Sequence, residues 1–134
     1  MLILCPNCWH ELKTTPTKCF NCGSHVDLYS REYERLLVAA LVRANAERRA
    51  QICWILGERG RRSATPVLME LLHDPDLFVR VAALRAIGEI GDESAITAVE
   101  KLTSDQHLAL RTVAQNILKI LGATKVGPSH RRAG

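Results

Sequence analysis

Four cysteines fall in two matched pairs, Cys5-Pro6-Asn7-Cys8 and Cys19-Phe20-Asn21-Cys22. Two residues separate the thiols within each pair, and ten separate the pairs. A two-residue spacer lets both sulfurs of a pair point at one centre from a tight turn. Two such turns, face to face, supply four thiolates for a closed tetrahedral ion. The chemistry this predicts is structural Zn(II) binding, because four protein ligands leave no open position for a reactive water. Four thiolates also hold iron, so the spacing leaves zinc and iron both open. Pro6 and Asn7 suit a turn, and Gly23 after Cys22 suits the left-handed conformation that closes one. His10 and His25 are close in sequence, but the cysteines complete the ligand set, so both are expected at the surface or behind the ligands. Disulfides would need an oxidising compartment. The opening Met1-Leu2-Ile3-Leu4 carries no secretory pattern, so a cytoplasmic location is expected.

Elsewhere the chemistry is sparse. Cys53 lies between apolar neighbours and reads as a small core residue. Arg59, Arg61 and Arg62, with Arg48 and Arg49 nearby, form the one basic patch that could contact nucleic acid. The charge is uneven: residues 31–62 are net +4, residues 63–122 net −3 and residues 123–134 net +3, within a chain of net +4. A nucleic-acid binder usually presents one sustained basic face, and the regular part of this chain is acidic. No apolar run approaches the ~18 residues of a membrane span, so no membrane partner is expected.

The elements that must position these residues begin after residue 30, where the chain repeats itself. Ile52-Cys53-Trp54-Ile55-Leu56-Gly57-Glu58-Arg59-Gly60 returns 31 residues later as Ala83-Leu84-Arg85-Ala86-Ile87-Gly88-Glu89-Ile90-Gly91. Arg49, Arg80 and Arg111 form one column at this offset, and Gly60, Gly91 and Gly122 another. A period of this size marks a stacked solenoid, in which each unit buries its apolar face against the next. Caps and apolar spacing predict helices at about 31–45, 47–58, 64–73, 77–89, 93–103 and 107–121. Ser30, Ser63 and Asp92 are the expected caps, and Asp74-Pro75-Asp76 is a break. The organisation is then a metal module at 1–27, repeats at 31–122, and a disordered tail at 123–134, where periodicity is lost.

The stretch from Asp74-Pro75-Asp76-Leu77-Phe78-Val79-Arg80 through Gly88-Glu89-Ile90-Gly91-Asp92-Glu93-Ser94-Ala95 resembles a HEAT-like repeat of the phycobilisome-lyase type. The resemblance extends over about residues 31–122. Residues 1–27 resemble a zinc ribbon, whose two knuckles sit on short β-hairpins; Trp9, Leu12, Phe20 and Val26 would be its small core. The implied fold is all-α: a short HEAT-like α-solenoid of three antiparallel helix hairpins, with a small N-terminal β zinc ribbon. The resemblance also implies that each column arginine pairs with the aspartate of the preceding turn, Asp74 or Asp105. Arg49, preceded by Ala44-Asn45, would be the freest. HEAT-type hydroxylases hold iron with His-Glu pairs, but here Gly57-Glu58 and Gly88-Glu89 lack the histidine. Neither a nucleophile nor an acid–base pair stands out, and no enzyme activity is expected.

In HEAT proteins the second helix of each pair lines the concave side. That face would carry Glu47, Ala50, Trp54 and Glu58, then Phe78, Val81, Arg85 and Glu89, then Ala109, Thr112, Asn116 and Ile120. Trp and Arg are the residue types most enriched in interface anchors. The expectation is therefore a non-catalytic adaptor or regulatory scaffold that binds another protein, which could be a second copy, through Trp54, Phe78, Arg85 and Glu89. The alternative for Trp54 is packing on the ribbon or first helix. The alternative function is nucleic-acid binding by the ribbon with Arg59, Arg61 and Arg62.

Overall fold

The computed structural model describes residues 2–13 and 18–133, with residues 123–133 described as backbone alone. Among these are six α-helices: α1 (Arg31–Ala40), α2 (Ala46–Arg59), α3 (Thr65–Leu71), α4 (Leu77–Ile90), α5 (Ile96–Leu102) and α6 (Leu108–Ala133). The repeat read from sequence is present in the helix limits. α4 begins and ends 31 residues after α2, and α5 does the same relative to α3. Short 3-10 turns at Leu41–Arg43, Arg62–Ala64 and Glu93–Ala95 take up the ends of the longer helices expected there.

Local chemistry sets these limits. Asn45 caps α2 by accepting from the Arg48 N–H, and Asp76 caps α4 by accepting from Phe78 and Val79. Gly60 and Gly91 close the same two helices at φ 66° and 71°, the left-handed region that a side chain disfavours. Gly122, third in that column, lies inside α6, which runs on to Ala133. The side chains of the tail expected at 123–134 lie outside the described residues. Ser30 stands at the start of α1 without capping it; its hydroxyl donates to the Asp27 carbonyl instead.

One continuous core joins the two parts of the chain. Leu37, Ile52, Leu56, Leu68, Val79, Leu84, Ile87, Val99 and Leu110 fill the solenoid, and Leu4, Leu12 and Val26 extend the same cluster into the N-terminal module. Cys53 is part of this core, and burial pushes its thiol up to about 12. α4 is central, packing on α2, α3 and α6. Its approach to α2 depends on Gly57, where a Cβ would lie 2.9 Å from both Cα and Cβ of Ala86. Backbone cannot yield to such a contact, so Gly57→Ala is expected to destabilise the fold. The overpacking cost of about 1–3 kcal/mol exceeds the ~1 kcal/mol that alanine gains in a helix. Gly88→Ala meets only side-chain carbons of Ile117 and is expected to cost less; paired thermal melts of the two variants measure the difference.

The N-terminal module has no strands among the described residues. Each knuckle is closed by one isolated antiparallel bridge, Leu4 with Glu11 and Lys18 with His25, where β-hairpins were expected. The arms are too short to extend a ladder beyond the turn. Tyr33 of α1 ties the module down: its hydroxyl donates to the Leu4 carbonyl at 2.9 Å and accepts from the Leu4 N–H at 3.1 Å. Leu12 and Val26 are buried as expected, but Phe20 is 77% exposed and lies outside the core.

Candidate functional site

The two knuckles share one backbone design. Cys5 N–H donates to the His10 carbonyl and Trp9 N–H to the Cys5 carbonyl; Cys19 N–H donates to Ser24 and Gly23 N–H to Cys19 in the same way, all at 2.9 Å. Trp9 (φ 69°) and Gly23 (φ 78°) occupy equivalent left-handed positions directly after the second cysteine of each pair. For Trp9 that backbone is strained. Its ring is held under Arg43, whose Cζ lies 4.6 Å from the ring centroid and whose guanidinium also donates to the Pro6 carbonyl.

This brings all four expected ligands together. The sulfurs of Cys5, Cys8, Cys19 and Cys22 lie within 4.8 Å of one another. Cys5 to Cys22 is 3.6 Å and Cys8 to Cys19 is 3.7 Å. A tetrahedral ion with metal–sulfur bonds of about 2.3 Å requires sulfur–sulfur edges of about 3.8 Å, whereas a disulfide requires about 2.05 Å. The donor set and its spacing therefore fit a four-coordinate metal ion. Asn7 and Asn21, each just before the second cysteine of its knuckle, reach across to the other knuckle. Asn7 and then Ser24 hold the Cys22 thiol down at about 5. Burial opposes ionisation of Cys8, but the Asn21 side chain and the His10 backbone outweigh it. Burial pushes Cys5 up to about 12. His10 and His25 are exposed and outside the cluster. Asn7 was legible in sequence as a turn residue; the part either asparagine plays at the other knuckle was not.

The second feature is a groove of about 780 Å³ between α2 and α4. Trp54, Phe78, Arg85 and Glu89, the four residues expected to bind a partner, all line it. Trp54 is 58% exposed and Phe78 83% exposed. Small and apolar side chains, among them Ala50, Val81, Ala82 and Ala86, line the space between them. Trp54 thus lines the groove and is more than half exposed there.

The basic patch is arranged differently from expectation. Arg59 Nε is 2.9 Å from Glu34 Oε1, and Arg61 Nη1 is 3.2 Å from Glu34 Oε2. Glu34 is itself buried, and the Arg59 guanidinium also stacks over Tyr33 at 5.2 Å. Two of the three arginines thereby hold α1 to the end of α2, and of the three only Arg62 is exposed. The column arginines also differ. Arg49, expected to be the freest, is the best held: it grips Asp74 with two hydrogen bonds of 2.8 and 3.0 Å and donates to the Ala44 carbonyl. The arginine reaches forward to the aspartate of the next unit. Arg111 donates to the backbone carbonyls of Asp105 and Gln106. The Asp105 carboxylate instead takes the His107 backbone and ring.

Among the described residues no helix is long and apolar enough to cross a membrane. Comparison with known families matches residues 34–119 to HEAT repeats. No curated protein matches the chain.

Proposed function

The chain belongs to the HEAT-repeat family, and from that premise we propose that it is a non-catalytic adaptor that binds another protein in the α2–α4 groove. HEAT repeats generally mediate protein–protein interaction. The observation that carries the reading is the pair Trp54 and Phe78, two large aromatics exposed on facing helices of one groove. Exposed apolar area of this kind is where binding free energy concentrates. The groove is built on two packed helices, so little order has to be gained on docking. Arg85 and Glu89 supply the polar contacts that fix register.

The Cys5, Cys8, Cys19, Cys22 site holds structural Zn(II) in this reading. The ion supplies the folding free energy of a segment with too little core of its own, and the ribbon so formed covers the open end of the first helix pair through Leu4 and Tyr33. The likeness to the phycobilisome-lyase type bears on the repeat alone and brings no activity with it. Nucleic-acid binding is the weaker reading, since Glu34 engages Arg59 and Arg61.

The test is affinity capture from source-cell lysate, treated with nuclease and washed at raised salt, with wild type beside Trp54→Ala. A discrete protein retained by wild type and lost with Trp54→Ala, at unchanged melting temperature, is the expected result. Retention indifferent to Trp54, or recovery of nucleic acid alone, would overturn it.

A further inference from the structure

We propose that the groove takes a cationic segment of its partner protein, a stretch bearing arginine or lysine beside an apolar side chain. The inference rests on the groove being the docking surface. Its basis is charge: Glu47 on α2, Asp76 at the cap of α4 and Glu89 on α4 line the groove with a single base, Arg85. Glu58, expected on the same face, lies instead with Tyr33, Ile55 and Arg59 on the side of the N-terminal module. The chain as a whole is net +4, so the acidic face runs against the average of the molecule. It is also confined to α2 and α4, because the corresponding positions of α6, Ala109, Thr112 and Asn116, are uncharged.

The carboxylates are available. Among the described residues, Glu47 and Glu89 have no ion-pair partner, and both are exposed. Glu89 lies close against the α2 backbone, its Oε2 about 3.1 Å from where a Cβ on Gly57 would stand. An occupant that covered these groups with apolar or acidic surface would leave desolvated, unpaired charge, which is strongly unfavourable. A cation covers them and is compensated. Trp54 and Phe78 then supply ring faces on which a guanidinium or ammonium stacks. The apolar floor between them receives the neighbouring side chain. A volume of about 780 Å³ lies within the range that accommodates a few such groups.

The experiment uses the full-length, metal-loaded protein and three fluorescein-labelled 12-residue peptides. The peptides share two leucines and a tyrosine and carry four arginines, four glutamines or four glutamates. Anisotropy titration at near-physiological salt is expected to show the arginine peptide binding at least about tenfold more tightly than the glutamine peptide. Glu47→Gln/Glu89→Gln should remove about that factor, whereas Glu93→Gln/Glu100→Gln, exposed carboxylates off the groove, should not. Equal or tighter binding of the glutamine or glutamate peptide, lost in Trp54→Ala, would overturn the cationic inference and leave the groove as the docking surface. Binding of no peptide, or binding indifferent to Trp54→Ala, would overturn both. Concentration-dependent self-association abolished by Glu89→Gln would place a second copy in the groove and overturn the proposal of a separate partner.

Discussion

Removing the proposed metal ion should unfold the N-terminal module and leave the helices standing. The module holds two isolated bridges and a core of a few side chains, chiefly Leu4, Leu12 and Val26. Segments below about 40 residues seldom fold without a metal or disulfide. A structural zinc site supplies about 10–16 kcal/mol of apparent binding free energy at neutral pH. Without it the remaining ties are the few side chains the module shares with the helical core, and the Tyr33–Leu4 hydrogen bonds and contacts of Arg43 with Trp9 and Pro6, the polar ones worth about 1 kcal/mol each. Chelation, or Cys5→Ser, is expected to abolish amide protection over residues 2–13 and 18–26 while far-UV circular dichroism loses little helix signal. The melting temperature should also fall, because Tyr33 loses its cover. Elemental analysis of the purified protein decides between zinc and iron, and cobalt(II) replacement should give the visible bands of a tetrahedral thiolate site. Full protection after chelation would mean that the four cysteines do not hold the module together.

Cutting the Arg49–Asp74 pair should have the largest effect within the solenoid. Both oxygens of Asp74 are engaged by Arg49, Oδ1 also accepts from the Asp76 N–H, and its side chain is only 6% exposed. Arg49 in turn donates to the carbonyl of Ala44, before α2. The pair thus fastens the start of one unit to the turn of the next. Truncating one partner of such a pair costs about 3–5 kcal/mol when burial is complete; with Arg49 partly exposed, about 2–4 kcal/mol is expected for Asp74→Ala. A domain of this size should lose about 6–15 °C in melting temperature. The pH dependence has a definite sign. Burial works to raise the pKa of Asp74, but the Arg49 hydrogen bonds outweigh it and hold the carboxyl below the usual carboxylate range. A group depressed on folding contributes stability above its unfolded pKa, near 4, and loses it as pH falls through the folded value. Wild type should therefore lose this contribution in acid, and Asp74→Ala should show a flatter stability curve there. Chemical denaturation at neutral and acid pH measures both.

The parts that were legible in sequence are those fixed by local spacing. Two Cys-x-x-Cys turns can make little else but a common centre, and a 31-residue offset that keeps glycine and apolar columns aligned leaves few packings. The concave stripe followed from the same period, which is why Trp54, Phe78, Arg85 and Glu89 fall in one groove. What was illegible lies between units. Arg49 was expected to be the freest of its column because its own turn offers no aspartate, yet a long side chain at a helix start reaches the next turn as readily as the preceding one. Arg59 and Arg61 read as a free patch because Glu34, 25 and 27 residues away, is brought to them only when α1 packs on α2. Phe20 was assigned to a ribbon core by residue type, but a knuckle that folds around a metal needs few apolar contacts, and the aromatic is left outside.

The chain contains only two tryptophans, and the fold gives one to each of its two sites. Trp9 is partly shielded beside the cysteine cluster and stacked on Arg43; Trp54 stands open to water in the groove. A shielded indole emits to the blue of a hydrated one, so the intrinsic fluorescence of the unmodified protein is a sum of two separable spectra. Trp54→Phe isolates the emission from the metal end, and Trp9→Phe isolates that from the groove. The molecule thus carries a built-in optical label at each site, and a spectral change can be assigned to one end of the protein without attaching a dye.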